Sequence, residues 1–165
     1  MNAYTVPSEL FISYFKPSVR VLFNWDRMRR EKWRVKLNLT EKSSSLHSLY
    51  LPWYIGENER ETSYLASMSK PIALSDIPNV LSLLKKKRQQ LILNFSKSFN
   101  KDRQPVQLVV PAYTLGKNQS ILLDGNHRMA ALAISQVTFR VMTFTVFGPM
   151  DSNILPDLQH WIKVK

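Results

Sequence analysis

Asp124, Gly125, Asn126, His127 and Arg128 place a carboxylate, an imidazole and a guanidinium within five consecutive residues. The apolar run Ile121-Leu122-Leu123 leads into them, and the helix-forming stretch Met129 to Ala133 follows. That order reads as a strand, a tight turn and the first turn of a helix. Backbone N–H groups at a helix start lack intrahelical acceptors, and the helix dipole favours negative charge there, so such a turn is a natural anion site. Gly125 would let a phosphate approach the backbone closely. Arg128 offers a planar fork for paired, charge-assisted hydrogen bonds to phosphate. His127 could donate to a phosphate oxygen or serve as an acid or base near neutral pH. Asp124 could accept a proton from an attacking water or hydroxyl, or hold a magnesium ion, although Asp-Gly is also a common turn dipeptide. Asn126 could donate its amide to phosphate or complete the turn.

The elements that must carry this turn are unevenly legible. Val19 to Phe23 reads as a strand, and Asn24 could cap a helix over about 25–36, where Trp25, Met28, Lys32 and Val35 share a face. Residues 38–69 read as loop plus a short helix; within them the apolar and aromatic stretch Leu46 to Ile55 is interrupted by Pro52, and the acidic group Glu57, Glu59 and Glu61 follows it. One of these could act as base or magnesium ligand, or all three could be solvated. Pro71 to Leu74 reads as a short strand, and a helix is expected over about 79–99, with Val80, Leu83, Leu84, Leu91 and Phe95 opposite the run Lys85-Lys86-Lys87-Arg88. Strands are expected at Val106–Val110 and Ser120–Leu123, joined by a hairpin turn at Gly116-Lys117-Asn118. A helix over about 127–135, a strand over Val137–Phe147 and a helical turn within Asp157–Ile162 complete the chain. The apolar parity of Val137–Phe147 switches midway, as a bulge near Val141-Met142 or burial on both faces would produce. The implied fold class is α+β: a small mixed sheet with packed helices.

Composition narrows the function classes. The 165-residue chain has no cysteine, which excludes disulfides, zinc–thiolate sites and thiol nucleophiles. No apolar run is long enough to span a bilayer. The start, Met1 to Pro7, has neither a basic n-region nor a long apolar h-region, so no secretory signal is expected and the cytoplasm is the default location. The net charge of +11 suits an anionic partner or simple solubility. Arg27, Arg29, Arg30, Trp33 and Arg34 combine cations with an aromatic ring, as contacts to nucleic acid phosphates and bases require. The same residues also describe an amphipathic helix that packs its tryptophan and solvates its charges. His47 and His160 have no supporting constellation.

The element order from about residue 70 to 148, with its Asp-Gly-x-x-Arg-x-x-Ala turn, resembles the ParB/sulfiredoxin superfamily. Pro71 to Ile77 is similar to the opening strand of that superfamily, Pro105 to Val110 to its second strand, and Asp124 to Ala131 to its signature turn. The resemblance implies a ParB/sulfiredoxin-like core over 70–165, preceded by a basic and aromatic extension over 1–69. It also implies nucleotide binding, ATP above all, with Mg2+ and with phosphates on the turn and following helix. The implied phosphate set is Gly125, Asn126, His127, Arg128 and Met129, joined by Lys86 from a helix that faces the turn in relatives. Sulfiredoxin chemistry itself is excluded, because Asn126 stands where those enzymes carry their catalytic cysteine. The chain also lacks the downstream motif and helix-turn-helix of the partition proteins. The turn resembles that of the free serine kinases at Asp124, Gly125 and Arg128. In size and basicity the chain is similar to plasmid fertility-inhibition proteins, which are associated with ATP hydrolysis and DNA cleavage.

The expected activity is phosphoryl transfer or nucleotide hydrolysis, coupled to DNA or to another acceptor. Asp124, His127 and Arg128 would be its catalytic residues and Asp124 its metal contact. The competing expectations are a nucleic-acid-binding or inhibitory protein without catalysis, and a small-metabolite kinase.

Overall fold

The computed structural model describes residues 3–162, which build one mixed sheet between two helical layers. The strands are β1 (Ala3–Val6), β2 (Arg34–Thr40), β3 (Leu49–Ile55), β4 (Glu61–Thr62), β5 (Lys70–Ala73), β6 (Val106–Gly116), β7 (Gln119–Leu122) and β8 (Phe139–Phe147). The α-helices are α1 (Ser8–Phe15), α2 (Trp25–Glu31), α3 (Ile77–Val80), α4 (Lys86–Lys101) and α5 (Asn126–Ile134). Strand order is β1-β2-β8-β6-β7-β3, with β4 and β5 both paired to β3. The β6–β8 and β7–β3 pairs are parallel and the remaining pairs antiparallel. The expected α+β class is therefore present, and the sheet runs continuously across residue 70.

Alternation along β6 divides the core. Val106, Leu108, Val110 and Ala112 face one cluster beneath α4 and α5, whereas Tyr113 and Leu115 join the opposite cluster. That second cluster gathers Phe11, Ile12 and Phe15 of α1, Met28 of α2, and Ile154, Leu155 and Leu158 near the C-terminal end. The C-terminal 3-10 turn, Pro156–His160, is fastened by Tyr54 of β3, whose hydroxyl donates to the Asp157 carboxylate. Both side chains are buried.

Several local expectations are corrected. Val19 to Phe23 forms no strand but an irregular crossing from α1 to α2. Asn24 does cap the next helix, its Oδ1 accepting the Arg27 N–H at 3.0 Å, but the helix stops at Glu31. Lys32 takes the left-handed conformation, φ 51°, and the chain leaves as β2. Trp33 and Val35 are buried on one side of that strand, so the face shared by Trp25, Met28, Lys32 and Val35 is a coincidence of spacing. Within 38–69 the structure has the end of β2, a 3-10 turn at Ser43–Leu46, and strands β3 and β4 in place of a long loop. Pro52, which cannot donate to a ladder, sits where the β3–β5 register shifts between Leu51 and Tyr54. The helix expected over 79–99 is broken into α3, a 3-10 turn at Leu81–Leu83, and α4, because Leu84 and Lys85 are extended. No bulge interrupts β8. Its ladders to β2 and β6 are unbroken, and the parity switch reflects burial on both faces from Thr143 onward.

Among the described residues, no helix is long and apolar enough to cross a membrane.

Candidate functional site

The turn after β7 is set by close packing. Leu123, fully buried, donates its N–H to the Pro111 carbonyl at 2.9 Å, fixing the chain against β6. Gly125 follows with φ 76°, and a Cβ on it would stand 2.8 Å from Val110 Cγ1. Both the backbone conformation and the space therefore demand glycine. Helix α5 begins at the next residue and has no side-chain cap, which leaves the N–H groups of its first turn open. Met129, Ala130 and Ala131 are fully buried and hold that helix start rigidly on the sheet.

A cavity of about 410 Å³ opens in front of this turn. Asp124 through Arg128 form one wall, and Arg20, Trp53 and Arg88 reach it from three other segments. Arg88 is the best-defined of these. Its Nε and Nη2 donate to Glu61 Oε1 at 2.9 and 2.8 Å, and the Glu61 side chain is only 5% exposed. Glu61 Oε2 in turn accepts the Lys85 N–H at 2.8 Å, securing the start of α4. The Arg88 guanidinium lies 4.0 Å above the Trp53 ring, a stacked cation–π contact.

Arg88 Nη1 also lies 3.1 Å from His127 Nε2. A guanidinium only donates, so Nε2 is the acceptor and the ring proton sits on Nδ1. Burial pushes the His127 pKa below the ordinary histidine value, and the Arg88 charge pushes it the same way, against a smaller opposing pull from Glu61. His127 is thus a neutral hydrogen-bond donor near pH 7. It does not bring the positive charge that would neutralise a developing anion. Asn126 contributes an Oδ1 that is buried without a hydrogen-bond partner.

The structure brings Asp124, Gly125, Asn126, His127 and Arg128 together at the cavity and separates two other expected members from it. Met129 is fully buried and its N–H is already bonded to the Gly125 carbonyl at 2.9 Å. Lys86 is exposed and lines a different groove with Gln89, Gln90 and Leu93. The cation of the basic run that reaches the turn is Arg88. Asp124 is the one carboxylate lining the cavity, and no group of three or more His, Asp or Glu side chains suited to a metal ion occurs among the described residues. A single carboxylate still fits magnesium, which keeps its waters and takes its remaining oxygens from phosphates.

No protein-family model, curated protein or solved structure matches the chain.

The expected nucleic-acid set does not form one open surface. Trp33 is 7% exposed, packs edge-on against Tyr113, and donates its indole N–H to Glu31 Oε2 at 2.8 Å, so it has no face for a base. Arg27 pairs with Glu31 at 2.8 Å and Asp151 at 2.5 Å. Arg29 lies 3.5 Å from Glu9, Arg34 stacks on Phe147, and Arg30 is exposed. His160 is stacked on Tyr54, with its Nε2 2.9 Å from the Tyr64 carbonyl oxygen, a structural position.

Sequence reasoning missed Arg20, which lies in the Val19–Phe23 stretch expected as a strand, and Trp53, which lies in a stretch without clear periodicity. It also missed the Glu61–Arg88 pair, whose partners are 27 residues apart and individually look like solvated charges.

Proposed function

We propose that this chain binds a nucleotide by its phosphates at the Asp124–Arg128 turn and catalyses phosphoryl transfer or nucleotide hydrolysis, as its resemblance to the ParB/sulfiredoxin superfamily implies. The observation that carries this reading is convergence: Arg20, Arg88 and Arg128 come from separate segments to one cavity at an uncapped helix start. Of the three, only Arg88 is tied to a buried carboxylate.

Phosphoryl transfer depends mainly on positioning and electrostatic stabilisation, which such a cavity can provide. The open N–H groups of α5 and the Arg128 fork would hold phosphate oxygens. His127, neutral and protonated on Nδ1, would add a directional donor. Asp124 would orient the attacking hydroxyl and accept its proton. A magnesium ion, when bound, would offset phosphate charge, and Asp124 is the side chain at the cavity able to hold it.

Product analysis tests the catalytic half of the proposal. ATP and Mg2+ are incubated with the protein alone, with DNA, and with small hydroxylated acceptors, and ADP, AMP and phosphate are followed. The reading expects product in at least one mixture and its loss in Asp124→Asn. Absence of product in every mixture would leave a binding protein rather than an enzyme.

A further inference from the structure

A larger cavity lies elsewhere, on the half of the sheet that α4 and α5 leave uncovered. On β8, Phe139 and Val141 face the apolar cluster beneath those helices, but the same side continues as Thr143, Thr145 and Phe147. These line a groove of about 660 Å³ bounded by the Ser43–Leu46 turn and the β6–β7 hairpin. Its volume is that of a small-molecule site.

The chemistry of the lining is unusual for the middle of a sheet. Buried positions of a central strand ordinarily carry Val, Ile or Leu. Here Thr143 and Thr145 are 7% and 5% exposed, and both line the groove. Thr40 of β2 and Ser120 of β7 add hydroxyls from the flanking strands, and Asn118 and Gln119 add amides at the rim. Lys117 is the only charged residue of the lining, and no carboxylate is present.

These features select a ligand class. Hydroxyls and amides both donate and accept, so they match partners that do the same. A lining with one peripheral charge does not match a polyanion or a polycation. The groove offers an extended peptide no edge strand of the sheet, because β2, β8, β6 and β7 each lie between two paired neighbours. Leu46, Leu49 and Phe147 supply an apolar strip beside the polar groups. We infer that this groove is a second binding site, for a neutral polyhydroxylated ligand the size of a mono- or disaccharide.

Saturation-transfer NMR of the full chain against a panel of neutral mono- and disaccharides tests the inference. At least one sugar is expected to show transfer, and the double variant Thr143→Val, Thr145→Val should weaken its binding about tenfold, as loss of two hydrogen bonds implies. Valine keeps the shape and β-propensity of threonine, and circular dichroism checks that the fold is retained. Ser120→Ala, on a neighbouring strand, should weaken the same sugar independently, whereas Arg128→Ala should not. The inference is overturned if no sugar in the panel binds, or if a bound sugar is unaffected by both the double variant and Ser120→Ala. It is equally overturned if Arg128→Ala abolishes the binding while the groove variants do not.

Discussion

Arg88 Nη1 stands 3.1 Å from His127 Nε2, so a residue on α4 dictates which nitrogen of a histidine on α5 carries the proton. The same guanidinium is held by buried Glu61 and stacked on Trp53. The Asp124–Arg128 turn is therefore oriented by a chain of contacts that begins in β4.

The protonation state of His127 follows from this arrangement. Its pKa should lie below that of an ordinary histidine, with the Nδ1–H tautomer populated at pH 7. Because the folded value is lowered, the folded chain binds fewer protons than the unfolded chain between the two values. Its contribution to stability is therefore complete above the ordinary histidine pKa and lost as pH falls through the folded one. Long-range 15N NMR titration of the three histidines reads both quantities. Glu61→Gln should lower the His127 value further, since Glu61 is the group that raises it.

Removing Arg88 should damage the fold as well as the site. Arg88→Ala strands the buried Glu61 carboxylate, and breaking such a pair costs about 3 kcal/mol or more. Glu61→Ala added to Arg88→Ala should recover part of that loss. Urea denaturation of the two single variants and the double variant measures the coupling.

Two left-handed glycines make an internal comparison. Gly116→Ala, at φ 78° with nothing within 4 Å, should cost only the conformational term, about 1 kcal/mol. Gly125→Ala meets Val110 Cγ1 at 2.8 Å as well and should cost clearly more, about 3 kcal/mol. Equal losses in denaturant melts would show that the packing against Val110 is not what fixes the turn.

At the C-terminal fastening, Tyr54→Phe removes the donor to Asp157 and should cost about 1–3 kcal/mol. Burial raises the Asp157 pKa, outweighing the opposite pull of the Tyr54 hydroxyl. A raised carboxyl value means that the folded chain binds the extra proton. This contribution is full below the ordinary aspartate pKa and is lost as pH rises through the folded value. Limited proteolysis of residues 150–162 should accelerate in Tyr54→Phe, and in wild type as pH rises across that interval.

The half of the chain after residue 70 was the more legible, because its signals were local. Gly116-Lys117-Asn118 is a hairpin turn, with Lys117 and Asn118 both at positive φ, and Gly125 marks the helix start. The first half hid its strands for identifiable reasons. Lys32 ends α2 in a left-handed conformation without glycine to announce it, and the helical spacing of Met28, Lys32 and Val35 runs on into β2. Pro52 argues against the strand that contains it until the register shift beside it is seen. Residues of the 124–128 turn were recoverable from type and spacing alone. Arg20, Trp53 and the Glu61–Arg88 pair were not, since only the tertiary fold brings them to the cavity.

Nucleotide binding itself is the most direct test. Calorimetric titration of ATP, ADP, CTP and GTP with Mg2+ into the wild type and Arg128→Ala should give a binding isotherm for at least one nucleotide. Its affinity should fall about tenfold or more in the variant, as loss of charge-assisted phosphate contacts implies. If no nucleotide binds the wild type at millimolar concentration, or if Arg128→Ala binds equally well, the Asp124–Arg128 turn is not a nucleotide site.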